Sequence, residues 1–266
     1  MRDFDINING IEVNAKYTED NINQIFLPLL RRLTRMQVEL GKRILVMLAA
    51  PPGTGKSTLC EFLKELSENT EGLKKVQVIG MDGFHRYQDY LLNHTTIRDG
   101  KEILMVKIKG APVTFDIDKL QERIIKVAQG EKVGWPVYNR VTHNPIEDVI
   151  IVSGDIIILE GNYLLLEEEG WNNLKQYADY TVRIVANESD LRSRLIDRKV
   201  KSGASYEEAV AFVDSSDLYN VKTCLRQSGD ADLNLKLNHD DSYSVVEEKN
   251  RFSSEPDIPD CECIYG

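Results

Sequence analysis

Apolar and polar positions in this chain follow two rhythms, one of period two and one of period 3.6. Residues 4–17 alternate, with Ile6, Ile8, Ile11 and Val13 apolar around an Asn9-Gly10 turn pair, and this predicts a small hairpin. Between Asn21 and Leu40 the apolar residues Ile22, Ile25, Phe26, Leu29, Leu30, Leu33, Met36 and Leu40 recur at helical spacing. Pro28 marks an early kink or a late start of that helix. Ile44–Ala49 is a short unbroken apolar run, as expected of a strand buried on both faces. Short runs also predict strands at 76–79, 155–159 and 180–185, and alternation predicts a fifth at 231–237. Helical spacing returns at 57–67, at 116–128 (Ile117, Leu120, Ile124 and Val127 on one face) and at 189–201. Ser205 starts another helix, with Glu208 three residues later completing a capping box. Strands alternating with helices predict an α/β fold, a five-stranded, mostly parallel sheet with helices on both faces, preceded by the hairpin and helix.

Composition adds boundaries. The chain has 266 residues, 42% hydrophobic, with a formal net charge of -10. That is enough apolar material for a sizeable core and too much for a wholly disordered chain. The longest apolar run, residues 44–50, falls far short of a membrane span. The polar start Met1-Arg2-Asp3-Phe4-Asp5 carries no secretory pattern, so a soluble cytoplasmic protein is expected, with no membrane partner. The acidic balance argues against nucleic acid, since no global basic field recruits phosphate backbones. Residues 239–266 alone carry -6 and show no apolar period, which reads as a flexible acidic tail. Expected divisions are therefore an N-terminal extension over 1–40 packed on the core, an α/β domain over 41–238, and the tail. Four cysteines make no disulfide framework, and Cys261-Glu-Cys263 has too few companions for a metal site. A homodimer is compatible with the sequence, which gives no signal for or against it.

The densest chemistry lies in Ala50-Pro-Pro-Gly53-Thr54-Gly55-Lys56-Ser57, followed by Thr58. It follows a buried strand and opens a helix, the setting a phosphate loop requires. Gly53 and Gly55 let the backbone wrap phosphate oxygens, and the N–H groups of Thr54 to Thr58 with the helix N-terminus offer a positive concavity. Lys56 adds an ammonium for the outer phosphates, and Ser57 a hydroxyl ligand for Mg²⁺. Ala50 stands where the strict pattern has glycine, at a position that only begins the turn. No Asn-Lys-x-Asp guanine-reading tetrapeptide occurs, so ATP is the expected nucleotide.

Two more predicted strands end in chemistry. Residues 76–79 run into Gly80-Met81-Asp82-Gly83-Phe84-His85-Arg86, and 156–159 run into Glu160-Gly161-Asn162-Tyr163. Ligands of open α/β sheets sit beyond the carboxyl ends of the strands, so Asp82 and Glu160 are expected to face the phosphate loop. One carboxylate can orient an acceptor hydroxyl and take its proton, and the other can hold the metal's water shell. The alternative for Asp82 is a turn cap, since Asp-Gly is a strong turn pair.

These stretches, with Lys109-Gly-Ala-Pro-Val-Thr-Phe-Asp116, Pro136-Val-Tyr-Asn-Arg140 and Leu159-Glu-Gly-Asn-Tyr-Leu-Leu165, occur in an order that resembles the phosphoribulokinase/uridine kinase family. The chain is also similar to bacterial pantothenate kinase and to kinases associated with fructose transport. The resemblance spans about residues 40–237. It implies a P-loop kinase fold, ATP and Mg²⁺ as cofactors, and phosphorylation of a small-molecule hydroxyl. Carried over, Lys56 and Ser57 hold phosphate and metal, Asp82 resembles the catalytic base, and Glu160 the strand-end acid near the metal. Asn139 stands where uridine kinases carry Asp, His143 matches their His, and Pro145 replaces their Arg. The Met-Asp-Gly-Phe-His and Lys-Gly-Ala-Pro wording is similar to the sugar-kinase-like and pantothenate-kinase branches.

Arg194 and Arg198 are four apart on the 189–201 helix and share a face, as expected of a basic lid over the transferred phosphoryl group; a solvated face is the alternative. His85, Arg86, Lys109, Tyr138, Arg140 and His143 are candidate substrate contacts, the last four on loops. No role is read for Asp217 or Asn220. The expected activity is transfer of the ATP γ-phosphoryl group to a sugar, sugar phosphate, nucleoside or pantothenate-like alcohol. The alternative is a regulatory ATP-binding protein with slow hydrolysis and no small-molecule acceptor.

Overall fold

In the computed structural model, which describes residues 2–8 and 11–249, the chain opens with β1 (Arg2–Ile8) and β2 (Ile11–Tyr17), paired antiparallel. The Asn9-Gly10 turn itself lies outside the described residues. The Thr18 hydroxyl accepts from the Asn21 N–H and caps α1 (Glu19–Asn21). A π-helical stretch, Ile22–Phe26, then leads into α2 (Leu27–Leu40). Pro28 follows directly on the π-helical turn inside a helical run unbroken from Glu19 to Leu40, so the helix starts well before it, and the missing N–H falls where the i→i−4 ladder is already interrupted.

The phosphate loop joins β3 (Ile44–Ala49) to α3 (Lys56–Asn69). β4 (Val76–Gly80) follows, then a 3-10 turn over Met81–Phe84, α4 (Gln88–Asn93), and a short hairpin of β5 (Thr95–Arg98) and β6 (Lys101–Leu104). Asp116, whose side chain accepts from the Lys119 N–H, caps α5 (Ile117–Ala128). β7 (Val133–Asn139) and β8 (Asn144–Val152) form a second hairpin. β9 (Ile156–Gly161), β10 (Tyr180–Ala186) and α6 (Glu188–Lys201) come next. The Ser205–Glu208 capping box opens α7 (Tyr206–Phe212). A π-helical stretch, Val213–Asp217, joins α7 to α8 (Leu218–Gln227). β11 (Leu233–Leu237) and β12 (Tyr243–Glu248) end the described chain.

Six of these strands form the central sheet in the order β12-β11-β10-β3-β9-β4. The five strands expected from sequence are its parallel part. Along β3, Ile44, Val46 and Leu48 pack to one side with α2, α3 and α6, while Leu45, Met47 and Ala49 pack to the other with α5, Trp135 and Trp171. This alternation is what a strand covered on both faces requires.

The sixth strand corrects two expectations, the strand count and the unstructured tail. The chain turns at Asn238, whose N–H donates to the Ser242 carbonyl, and β12 pairs antiparallel with β11. Only Tyr243 of β12 is buried, and Glu247 and Glu248 are exposed. An edge strand with a charged outer face has no apolar period to reveal it. The rest of the tail, with Cys261 and Cys263, lies outside the described residues.

Candidate active site

Parallel pairing sets the site. Ala49 pairs with Gly161, Leu48 with Glu160, and Gly80 also with Glu160, so three strands end at one level. The phosphate loop, Asp82 and Glu160 therefore emerge side by side at the carboxyl edge of the sheet, where such folds bind ligands. Gly161 has to be small, because a Cβ there would lie 2.7 Å from the Cβ of Met81.

The loop is tied to the sheet by the Ala50 N–H, which donates to the Gly161 carbonyl, and is closed on itself by the Thr54 hydroxyl, which donates to the Pro51 carbonyl. Gly53 and Gly55 adopt φ of 88° and 76°, the left-handed region that glycine tolerates. α6 lies against the loop, with Leu195 and the Leu191 carbonyl 3.1 and 3.3 Å from where a Gly53 Cβ would be. The Ser57 hydroxyl donates to Glu160 Oε1 at 2.7 Å.

The two carboxyls are pushed in opposite directions. Burial works against the Asp82 anion, but the positive surroundings (His85 when protonated, Lys56, Arg140 and Arg198) outweigh it and hold the carboxyl below its ordinary range. Burial lowers His85 to about 4, so at neutral pH it is uncharged and the cations acting on Asp82 are Lys56, Arg140 and Arg198. Burial raises Glu160, and the Asp82 charge adds to it, against the opposing pull of Lys56 and the Ser57 hydrogen bond. Paired groups with separated acidities mark acid–base and metal-binding sites.

A divalent cation would relieve the penalty on Glu160, and hydroxyl plus carboxylate is the oxygen set Mg²⁺ takes while keeping waters and phosphate oxygens. No group of three or more His, Cys, Asp or Glu converges among the described residues.

The Lys109–Asp116 segment crosses the turn after β4. The Arg86 N–H donates to the Thr114 carbonyl and the Asp116 N–H to the Phe84 carbonyl. His85 stacks on Phe115 at 4.0 Å and meets the edge of Tyr138 at 5.1 Å. Lys109 Nζ donates to Gln88 Oε1 and to the His143 carbonyl, 5.1 Å from the Tyr138 ring centre. Arg86 lies over Tyr90 and 3.8 Å from Asp116. The His143 side chain is exposed, and the hydrogen bond it brings here is through its carbonyl. Tyr138 lies in β7 and Arg140 and His143 in the β7–β8 turn, so the expected loop is a hairpin.

The arginine pair of α6 is split. Arg198 lies within electrostatic reach of Asp82, Arg140 and Asp217. Arg194 instead donates to the Gly53 carbonyl at 3.2 Å and to Asp241. One helix face thus serves two regions, the surroundings of Asp82 and the outer flank of the phosphate loop.

Sequence reasoning passed over several residues here. Asp217 closes the π-helical stretch, its carboxyl raised by burial against the pull of Arg198 and Lys199. Asp217 Oδ2, Asn162 Oδ1 and His85 Nδ1 are all buried without a hydrogen-bond partner. Asn220 Nδ2 lies against Gly110, whose carbonyl accepts from the Tyr163 hydroxyl at 2.6 Å. The Asp217-x-x-Asn220 spacing, one helical turn, was the available signal.

The sequence profile of the phosphoribulokinase / uridine kinase family matches residues 45–243. YggC, an uncharacterised protein of Escherichia coli K12, is 37% identical over 90% of this chain and 98% of its own length. A Schizosaccharomyces pombe protein named as a candidate uridine kinase is 33% identical over 68% of this chain and 77% of its own. Among solved structures, one from Silicibacter described as a candidate fructose transport system kinase superposes with TM-score 0.67 at 31% identity, over 77% of this chain and 98% of that one. The chain belongs to the phosphoribulokinase / uridine kinase family. It is a P-loop kinase of a family acting on small molecules.

Proposed function

We propose that the protein transfers the γ-phosphoryl group of ATP, with Mg²⁺, to a hydroxyl of a small polyhydroxylated molecule, a sugar or sugar phosphate before a nucleoside or a pantothenate-like alcohol. The observation that carries this is Asp82, which follows the end of β4 level with Glu160 and the phosphate loop and whose carboxyl is shifted below its ordinary range. An ionised carboxylate there can accept the acceptor's O–H hydrogen bond and take its proton. Lys56 and the loop amides hold the donor phosphates, and Ser57 and Glu160 would hold Mg²⁺, which supplies charge neutralisation between the outer phosphates. Arg198 is within reach to balance charge on the transferred group. The unpartnered Asp217 Oδ2, Asn162 Oδ1 and His85 Nδ1 favour a ligand presenting several O–H groups.

The test is ADP release measured with and without a panel of sugars, sugar phosphates, nucleosides and pantothenate. Acceptor-dependent release is expected, largest for a polyol. A slow, acceptor-independent rate across the panel would favour a regulatory nucleotide-binding protein. In Asp82→Asn, turnover should fall about 10²–10⁴-fold while ADP affinity holds. Near-normal turnover would return Asp82 to the role of turn residue, since Asn caps almost as well as Asp.

A further inference from the structure

We infer that β2 of the N-terminal hairpin is part of the nucleotide site and walls the space for the nucleoside half of the phosphate donor. This rests on the nucleotide reading above and adds to it an element lying outside the matched family segment, which begins at residue 45.

A cavity of about 390 Å³ lies on the outer flank of the phosphate loop. That is within the roughly 300–1,000 Å³ range of small-molecule sites. One wall is Thr54, Gly55 and Thr58 of the phosphate loop and α3. The opposite wall is the backbone and side chains of residues 13–18, and the β11–β12 turn closes the end. Arg194 joins the walls by donating to the Gly53 carbonyl and to Asp241 of that turn.

Two features point to a ligand. Gly55 is exposed and a Cβ there would meet nothing within 4 Å, so the loop is open toward this side. Tyr17 and Tyr243 both line the cavity, both are buried, and neither hydroxyl makes a hydrogen bond to another described residue. Each ring is buried while its hydroxyl is not among the fully buried polar atoms, so each offers a polar tip to the cavity. Ribose hydroxyls and base nitrogens are partners of the right kind, and the tether to phosphates held by the adjoining loop would bring them here. Tyr17 is fixed from behind by stacking on Phe62 at 4.2 Å, and Tyr243 by edge contact with Phe26 at 5.6 Å, so the wall is rigid.

The hairpin side is tested with Ala15→Leu, which adds bulk where β2 faces the cavity. Affinities are measured by calorimetry for Mg-ADP and for Mg-tripolyphosphate, which shares the phosphates and lacks the nucleoside. ADP binding should weaken about tenfold or more with tripolyphosphate unchanged. Unchanged ADP affinity, or an equal loss for both ligands, overturns the inference. Because the variant can misfold, wild-type protein is also photolabelled with 2-azido-ADP and digested. Label in peptides holding residues 13–18 or 237–243 supports the inference, and label confined to other segments overturns it. Wild-type protein that binds tripolyphosphate but is labelled elsewhere sinks only the hairpin role. Wild-type protein that binds neither ligand sinks the nucleotide reading with it.

Discussion

Asp82 and His85 sit three residues apart, and each is shifted down for a different reason. Burial works against the Asp82 anion, and nearby cations overcome it. Burial works against the His85 cation, and the Asp82 charge fails to overcome it, leaving His85 at about 4 against an ordinary 6.5. A group with a depressed folded-state pKa stabilises the fold above its unfolded value, and that contribution is lost as pH falls through the folded value. The His85 contribution is therefore complete above about 6.5 and disappears toward 4, up to roughly 3 kcal/mol. Denaturant unfolding of wild type and His85→Gln from pH 7.5 to 4 should show the gap between them shrinking as pH falls. Parallel curves would mean that the fold leaves the acidity of His85 unshifted. At this scale the sequence marked Lys56, Ser57, Asp82 and Glu160, because a strand end fixes where the next side chain goes. It did not mark the unpartnered atoms of Asn162 and Asp217, since whether a polar atom finds a partner depends on residues far away in the chain.

Elements show where periodicity loses information. The five parallel strands were legible because β3 and β9 are unbroken apolar runs and β4, β10 and β11 keep apolar residues at alternate positions. The β7–β8 hairpin was not, because Pro136 and Pro145 argue against strands. The chain accommodates Pro136 with a register shift between Trp135 and Val137. The irregularity has a purpose visible in the contacts: Trp135 Nε1 donates to the Gly80 carbonyl at 2.8 Å, and the strand passes directly over Gly83. A Cβ at Gly83 would lie 2.0 Å from the Pro136 carbonyl oxygen, a backbone atom that cannot turn aside. Gly83→Ala should therefore push β7 off the Asp82 turn, cost about 3 kcal/mol, and lower turnover as well. Gly72→Ala is the control, with φ of 79° but nothing within 4 Å of the added Cβ. It should cost about 1 kcal/mol and leave turnover alone. Equal losses in the two variants would show that the contact with β7 does not set the requirement at Gly83, whose φ is not positive.

At the scale of the whole molecule, the two ends of the described chain are locked together. The Asn21 side chain donates to the Tyr243 carbonyl at 2.7 Å and accepts from the Tyr243 N–H at 2.8 Å, a buried pair of bonds across 222 residues. Around it Phe4, Tyr17, Phe26, Phe62 and Tyr243 form one aromatic cluster shared by the hairpin, the first helices, α3 and the edge strand. The N-terminal extension was legible as a hairpin and helix, but its partner was not, since nothing in the acidic tail announces β12. This arrangement predicts a single cooperative transition for extension and core together. Asn21→Ala leaves a buried N–H and a buried carbonyl unpaired, at a cost of about 2–4 kcal/mol. The loss should appear as one shifted unfolding curve, the same by far-ultraviolet circular dichroism and by tryptophan fluorescence from Trp135 and Trp171, both in the core on the opposite face of the sheet. A circular dichroism change that precedes the fluorescence change would instead make the extension a separately melting unit. The hairpin wall of the cavity beside the phosphate loop would then open before the kinase core does.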